Sequence, residues 1–387
     1  MTDFIRFEDD FSLEDRQVAE STRKFLESAI APQIRTHFRN GTIDPTWARQ
    51  FGQMGLFGAS LDFPGSPNLS STAYGLIMRE LERVDSGIRS FVSVQSGLVI
   101  YPIWRYGSDH QKKTWLPRLA SGEAIGCFGL TEPDFGSNPA GLRTQAMRDG
   151  KKWRLSGTKM WITNGSIADV AVIWARTDNG INGFLVPRGT PGFTATDIHG
   201  KWSMRASITS ELVLDQVVID DDHRLPHATD LKAALSCLSQ ARFGIAWGAI
   251  GAAEACYEEA RHHVQNRPQF DDRPLASHQL IQTKLADMLT HLTLGQLLAL
   301  KLARNKDAGT VKPAMISMAK RYNVGMALTI ARNARDMLGA SGITDEHVTI
   351  RHLMNLETVN TYEGTYDIHG LIIGQEITGI PAYSSSR

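Results

Sequence analysis

Cysteine is scarce in this 387-residue chain, with only Cys127, Cys237 and Cys256 present. They are odd in number, widely spaced and set among apolar or small residues, which excludes a disulfide framework and suits reduced core thiols. No uninterrupted apolar run approaches about 18 residues, so no membrane span is expected. A surplus of one charge is also missing, because 41 Lys and Arg balance 41 Asp and Glu. Without a net field, neither nucleic acid nor an anionic membrane is an expected partner. The chain has no Gly-x-x-x-x-Gly-Lys loop, no His-Glu-x-x-His, no Cys-x-x-Cys and no Gly-x-Ser-x-Gly elbow, which removes the usual routes to nucleotide, metal-assisted and serine hydrolysis. His262 and His263 are adjacent and diverge on a helix, so no metal site is expected. The first twenty residues are acidic and lack an apolar signal core. They suit neither a transit nor a signal peptide, and a bacterial cytoplasmic location is expected.

What is present is enough chain for a large core and two or three structural units in one body. Ser12 to Asn40 reads as a helix, with Ser12 and Asp15 as a capping box and Gly41 as its stop. Asp44-Pro45 is expected to open a second helix with Pro at its first position. Further helices are expected over 71–84, 89–106 and 109–119. From Gly126 to about Asp222 the apolar period becomes two, and strands are expected at 152–156, 169–176, 183–186 and 211–219. Helical periodicity then returns over 231–266, 275–306, 311–338, 348–358 and 365–377. Within the first of these, Phe243-Gly-Ile-Ala-Trp-Gly-Ala-Ile-Gly-Ala-Ala spaces small residues so that another helix can pack closely. The expected fold is mainly α with a β insert: a helical domain over 1–124, a β domain over 125–228 and a helical domain over 229–387. Only the final Ser384-Ser-Ser-Arg387 reads as a linker-like tail.

Three stretches carry candidate chemistry. Thr361-Tyr-Glu-Gly-Thr-Tyr-Asp-Ile-His369 sets one carboxylate, Glu363, between an aromatic hydroxyl and a glycine that lets the backbone turn or approach a ligand. A carboxylate so placed can act as a base. It can also be an ordinary helix start, with Thr365 or Asp367 capping and Glu363 complementing the dipole. Cys127-Phe-Gly-Leu-Thr-Glu-Pro-Asp-Phe-Gly-Ser-Asn138 gathers backbone amides with the Thr131 and Ser137 hydroxyls, a set suited to the edge of a flat heterocycle. Gly157-Thr-Lys-Met-Trp-Ile-Thr-Asn164 puts Trp161 and Thr163 two apart on a strand, as a stacking plane with a polar handle. Each of these two is weak alone, because turns and core tryptophans are common.

Taken together with Arg267-Pro-Gln-Phe and Arg335-Asp-Met-Leu-Gly, these segments resemble the acyl-CoA dehydrogenase family in matching order over essentially the whole chain. Glu82-Arg-Val-Asp-Ser-Gly-Ile-Arg-Ser-Phe-Val-Ser-Val-Gln-Ser and the stretch around Glu363 are most similar to its glutaryl-CoA branch. The resemblance implies a C-terminal four-helix bundle, a homotetramer, and FAD at a subunit interface. It implies that Phe128, Leu130, Thr131, Gly136 and Ser137 approach flavin or thioester, and that Trp161, Ile162 and Thr163 flank the isoalloxazine. Arg267, Gln279, Asp336, Met337, Leu338, Gly339 and Ala340 would hold the rest of FAD, some from a neighbouring subunit, together with Thr365, Tyr366 and Asp367. Ser236 to Phe243 would line the acyl-CoA path, with Arg242 foremost, and Gly364 would lie against the substrate.

By the same resemblance Glu363 is the catalytic base, taking the α-proton while the β-hydrogen leaves as hydride to flavin N5. Arg89, with Ser90 and Ser93 beside it, is expected to bind a distal carboxylate, because a guanidinium offers two planar donors that a mono-acyl chain cannot use. Glu82 upstream and Ser93 at i+4 would orient it. Tyr362 next to the base implies decarboxylation, giving crotonyl-CoA and carbon dioxide, with electrons passing to an electron-transfer flavoprotein in lysine and tryptophan breakdown. The alternatives are a short-chain or a non-decarboxylating enzyme, or a DNA-binding relative, which would carry a basic C-terminal extension. Two positions depart from the family pattern: Tyr366 follows Thr365 where His or Ser is common, and Asp134-Phe-Gly-Ser-Asn replaces a more polar turn.

Overall fold

The structure, a computed structural model, describes residues 2–382, so the expected tail at Ser384–Arg387 lies outside the described residues. Helices α1 (Leu13–Phe25) and α2 (Ala31–Asn40) form one rod interrupted by a wider π-type turn at Leu26–Ile30. The expected capping box is formed: Asp15 N donates to Ser12 Oγ at 3.1 Å and Ser12 N to the Asp15 carboxylate at 3.0 Å. Gly41 ends the rod at φ 68°, the left-handed conformation a glycine takes without strain. Pro45 does not open the next helix. Asp44 Oδ1 accepts the Thr46 amide at 2.9 Å, which turns the chain once more before α3 (Trp47–Gln53) begins.

Then follow α4 (Ser71–Val84) and α5 (Ser86–Ser93), which continues through a π-type segment, Val94–Ile100, into α6 (Tyr101–Tyr106), and α7 (Asp109–Ala120). Here the expected start at Arg89 is three residues late. Asp85 caps the helix by accepting the Gly87 amide at 2.7 Å, so Arg89 lies one turn inside rather than at the N-terminus.

The strands are β1 (Gly126–Gly129), β2 (Gln145–Asp149), β3 (Lys152–Thr163), β4 (Val170–Thr177), β5 (Gly180–Pro187), β6 (Phe193–Asp197) and β7 (Thr209–Asp220). They make one sheet in which β4 pairs in parallel with β1 and antiparallel with β5, while β3 pairs antiparallel with β2 and β7, and β7 with β6. A single parallel register point, Gln145 opposite Arg176, links the two halves. One face encloses Cys127, Leu155, Ile173, Phe184, Leu212 and Val217. From the other face Phe128, Val172, Trp174 and Leu185 join the core of the helices, which is why β4 reads as a continuous apolar run.

The C-terminal helices are α8 (Leu231–Asn266), α9 (Gln279–Asp307), α10 (Pro313–Met337), α11 (Val348–Val359) and α12 (Tyr366–Thr378). A two-residue ladder between β8 (Pro268–Gln269) and β9 (Arg273–Pro274) follows α8 and was not expected from the sequence. Helices α8, α9 and α10 pack side by side, and α11 and α12 close the bundle along α10. The small residues of α8 let α4 come close: a Cβ at Gly251 would lie 1.9 Å from the Arg79 carbonyl oxygen. This crossing brings the end of α4 and the start of α5 over the middle of α8, and that is where the buried charges collect. All three cysteines are free and buried, as expected. Among the described residues no helix is long and apolar enough to cross a membrane.

Candidate active site

The link between α11 and α12 is held in an unusual backbone conformation. Thr365 Oγ1 caps α12 by accepting the Ile368 amide at 3.1 Å, which leaves Glu363 outside the helix rather than in its first turn. Glu363 has φ 52° and Gly364 φ 93°. The first is uncommon for a residue with a side chain and the second is glycine territory. A Cβ at Gly364 would also sit 2.9 Å from His369 Nε2. Two cations fix this turn through its carbonyl oxygens. Lys320 on α10 donates to the Tyr362 oxygen and, at 2.6 Å, to the Gly364 oxygen, while Arg242 on α8 donates through Nε to the Glu363 oxygen at 2.7 Å.

Beside the turn lies Arg89, fully buried with its partner Glu82. Arg89 Nε donates to Glu82 Oε2 at 2.7 Å, and Ser86 Oγ donates to the other Glu82 oxygen at 2.8 Å. Arg89 Nη2 donates to the Tyr362 hydroxyl, and the guanidinium carbon lies 5.7 Å from the centre of that ring. Glycine at 248 is required here, since a Cβ would fall 2.1 Å from Glu82 Oε2. Two atoms are left over. Among the described residues, Arg89 Nη1 and Glu363 Oε2 are buried polar atoms without a hydrogen-bond partner. Orphans of this kind are costly and call for a ligand or water.

Burial raises the proton affinity of Glu363 above its ordinary 4.5, against the pull of Lys320, Arg89 and Arg242 in the other direction. Burial works the other way on Lys320, dropping it to about 7 although Glu363 opposes this. Burial also opposes the charge of Arg89, but Glu82, Tyr362 and Glu363 outweigh it and hold the guanidinium protonated. The Tyr362 phenol is pushed up by burial and stays neutral. The arrangement is a carboxylate with one oxygen buried, facing two guanidinium groups and the Lys320 amine, with one unsatisfied guanidinium nitrogen near it.

These contacts bring Glu82, Arg89, Arg242, Tyr362, Glu363 and Gly364 together in one place. Phe243 packs below them, its ring stacked on Tyr74 at 6.4 Å. Ser93 does not orient Arg89: its Oγ is buried without a partner, and Glu82 and the Tyr362 hydroxyl hold the guanidinium instead. Ser90 is buried one turn after Ser86 and forms no side-chain bond among the described residues. Ahead of Arg242, Ser236 bonds to the Tyr106 hydroxyl at 2.7 Å, and Gln240 lines a narrow cleft with Tyr74, Ser96 and Tyr101.

The expected cofactor residues fall into separate groups. Phe128 and Leu130 are buried at the end of β1, while Gly136 and Ser137 are exposed on the following turn. At the end of β3, Trp161 has φ 63° and is 60% exposed, and a bulge separates Lys159 from Ile162. Ile162 turns into the sheet core, so its side chain is unavailable to a ligand. Buried Lys159 ties this strand to the turn, donating to Leu130 O at 3.1 Å and to Glu132 at 2.9 Å. Met337 and Leu338 are likewise core residues. Arg267, Gln279, Gly339 and Ala340 are exposed, and Asp336 is paired with Lys284 at 2.7 Å. Thr365 is taken up in its cap, Asp367 is exposed, and Tyr366 has the Arg321 guanidinium 3.9 Å above its ring. Among the described residues no group of three His, Cys, Asp or Glu is arranged to hold a metal.

Sequence reasoning missed Lys320 and Tyr74. The signal for Lys320 was present: it stands with Ile316, Asn323 and Ala327 on the buried stripe of α10, where a lysine is out of place.

Comparison with known proteins agrees with this fold. Family models match three successive parts of the chain: the acyl-CoA dehydrogenase N-terminal domain over 12–123, the middle domain over 127–217 and the C-terminal domain over 231–378. The chain belongs to the acyl-CoA dehydrogenase family. A glutaryl-CoA dehydrogenase from Mycobacterium smegmatis superposes with TM-score 0.98 at 53% identity, over 99% of this chain and 99% of that one. A second structure of a glutaryl-CoA dehydrogenase from that organism, in complex with FADH2, gives TM-score 0.97 at 51% identity, over 98% of each chain. The mitochondrial short-chain specific acyl-CoA dehydrogenase of Homo sapiens is 33% identical over 367 residues, 92% of this chain and 88% of that protein.

Removing one partner of a buried ion pair leaves the other charge uncompensated, at about 3–5 kcal/mol, whereas replacing both by apolar residues is often close to neutral. Glu82→Ala should therefore lower the melting temperature strongly, and Glu82→Leu combined with Arg89→Met should recover most of that loss. A double variant no more stable than Glu82→Ala would contradict the assignment of this pair.

Proposed function

We propose that this acyl-CoA dehydrogenase oxidises and decarboxylates glutaryl-CoA to crotonyl-CoA and carbon dioxide, with Glu363 as the base. The observation that carries the substrate is the unpartnered Nη1 of fully buried Arg89 beside the base. A donor in that state fits a distal carboxylate and has no use for a methyl group. The charge count points the same way. Arg89, Arg242 and Lys320 face Glu82 and Glu363, so the one distal carboxylate of the substrate balances the site.

The fit to FAD rests on the strand end. Trp161 offers an exposed aromatic face, and the Thr131, Ser137 and Thr163 hydroxyls have no side-chain partners among the described residues, a donor set suited to a flat heterocycle. FAD bound there would supply the acceptor for the β-hydrogen and its electron pair. The exposed Arg267, Gln279, Gly339 and Ala340 lie far along the chain from that strand end. They are flanked by exposed Phe270, Leu280 and Ile343, as expected of residues that serve a neighbouring subunit of a homotetramer. Electron-transfer flavoprotein is the proposed acceptor and the bacterial cytoplasm the proposed location. The domains run over 1–124, 125–228 and 229–387.

The chain's own residues then act in order. Arg89, held by Glu82, binds the distal carboxylate and sets the acyl chain along α5. Glu363 takes the α-proton as the α C–H bond breaks, and its carboxylate becomes neutral. After oxidation the distal carboxylate leaves as carbon dioxide, its bonding electrons entering a dienolate. Neutral Glu363 returns the proton, giving crotonyl-CoA and restoring the carboxylate. The Tyr362 hydroxyl, bonded to Arg89, supports this reading by lying next to the group that binds the distal carboxylate.

Short-chain acyl-CoA oxidation without decarboxylation is the other reading, favoured by the similarity to the short-chain specific enzyme. Arg89→Ala separates the two. It should reduce kcat/KM for glutaryl-CoA by about a hundredfold or more, the equivalent of roughly 3 kcal/mol, and change that for butyryl-CoA by less than about tenfold. Equal losses on both would remove the carboxylate-binding role. Because burial lifts Glu363 above 4.5, kcat/KM should fall with acidification along a limb lying above that value, and an acid limb at or below 4.5 would speak against Glu363 as the base.

A further inference from the structure

Lys320 is almost wholly buried on α10, and among the described residues it forms no ion pair. A bare ammonium in such a place is costly and needs a reason. Its two hydrogen bonds go to the carbonyl oxygens of Tyr362 and Gly364, the residues on either side of Glu363. An ammonium has three donors, so one stays free. The other charged or titratable groups facing Glu363 are two guanidinium groups with a nitrogen bonded elsewhere, and neutral rings. Arg89 from α5 is paired with Glu82 from α4, and Arg242 from α8 spends Nε on the Glu363 carbonyl. The Tyr74 and Tyr362 phenols are held neutral by burial, and His369 from α12 is driven by burial down to about 3 and carries no charge.

Resting on the reading of Glu363 as the base, we infer that Lys320 is its positioning residue: the ammonium pins the left-handed turn from both sides, and its charge is the counter-charge of the carboxylate. The effect differs between the two halves of the reaction. Before turnover the cation keeps Glu363 ionised and ready to accept the α-proton. Once the proton has arrived, the same cation favours its release, which suits the later protonation of the dienolate. Nature's cost for this is a weaker base in the first step, offset by the fixed direction of the carboxylate.

The test compares three variants of the holoenzyme by the pH dependence of kcat/KM with glutaryl-CoA, each checked for bound flavin. Lys320→Gln should move the acid limb upward by about one pH unit or more, as loss of a nearby opposite charge does. It should lower kcat on the order of tenfold through misplacement, with a smaller change in KM. Lys320→Arg should leave the acid limb where the parent has it. An unmoved limb in Lys320→Gln, or equal movement in both variants, overturns the inference. If Lys320→Gln does not retain flavin, Lys320→Arg decides: an unmoved limb supports the counter-charge and a moved limb overturns it. Glu363→Gln keeps this separate from the base itself. Turnover by that variant overturns the base reading, while an inert Glu363→Gln with an unmoved limb in Lys320→Gln overturns only the role of Lys320.

Discussion

Three successive peptide carbonyls, those of Tyr362, Glu363 and Gly364, are held by buried Lys320 and half-buried Arg242, and the candidate site depends on that clamp. A short link between two helices would ordinarily be free to relax, and Glu363 sits in a backbone conformation that needs support from outside. The support comes from helices far away in sequence, α8 and α10. Each gives up a cation to the turn, so the carboxylate is fixed by the body of the helical bundle and not by its own loop. The same cations set its electrostatics, opposing the burial that would otherwise neutralise it.

A second constraint feeds the first. Helices α4 and α8 approach closely because α8 carries glycines at the contact, and the space left at Gly248 is filled by Glu82 and Arg89. That pair delivers a guanidinium to the Tyr362 hydroxyl on the far side of the turn. Small residues on one helix are thus linked through an ion pair and a phenol to the placement of the candidate base. The β sheet adds an exposed tryptophan and a polar turn tied together by Lys159 and Glu132. Its contribution is a surface, whereas the helices contribute the buried charge.

Much of this was legible in the sequence for reasons that can be named. The bounds of α8 were plain because no proline or turn cluster breaks the chain from Leu231 to Asn266, and Arg267-Pro follows. Glu363 and Gly364 stood out through their setting, and the match in order of several segments named the family. Local spacing failed where a distant partner decided the outcome. Pro45 looked like a helix start until Asp44 captured the next amide, and Arg89 looked terminal although Asp85 caps the helix before it. Ser93 was credited with orienting Arg89 by i+4 spacing, but its Oγ finds no partner. Ile162 and Met337 followed the family pattern as segments, while their side chains belong to the core. Lys320 could be seen only as an oddity on an apolar stripe, since the carbonyls it holds are forty-odd residues away.

The central claim is that a buried guanidinium and a carboxylate together select and process a dicarboxylic thioester. Its most direct test is to incubate the purified flavoprotein with glutaryl-CoA and an artificial electron acceptor and to identify the acyl-CoA product by mass. Crotonyl-CoA, formed with loss of carbon dioxide, is the predicted result. Glutaconyl-CoA would contradict the decarboxylation assigned to the site, and no product from glutaryl-CoA alongside ready oxidation of butyryl-CoA would contradict the claim as a whole.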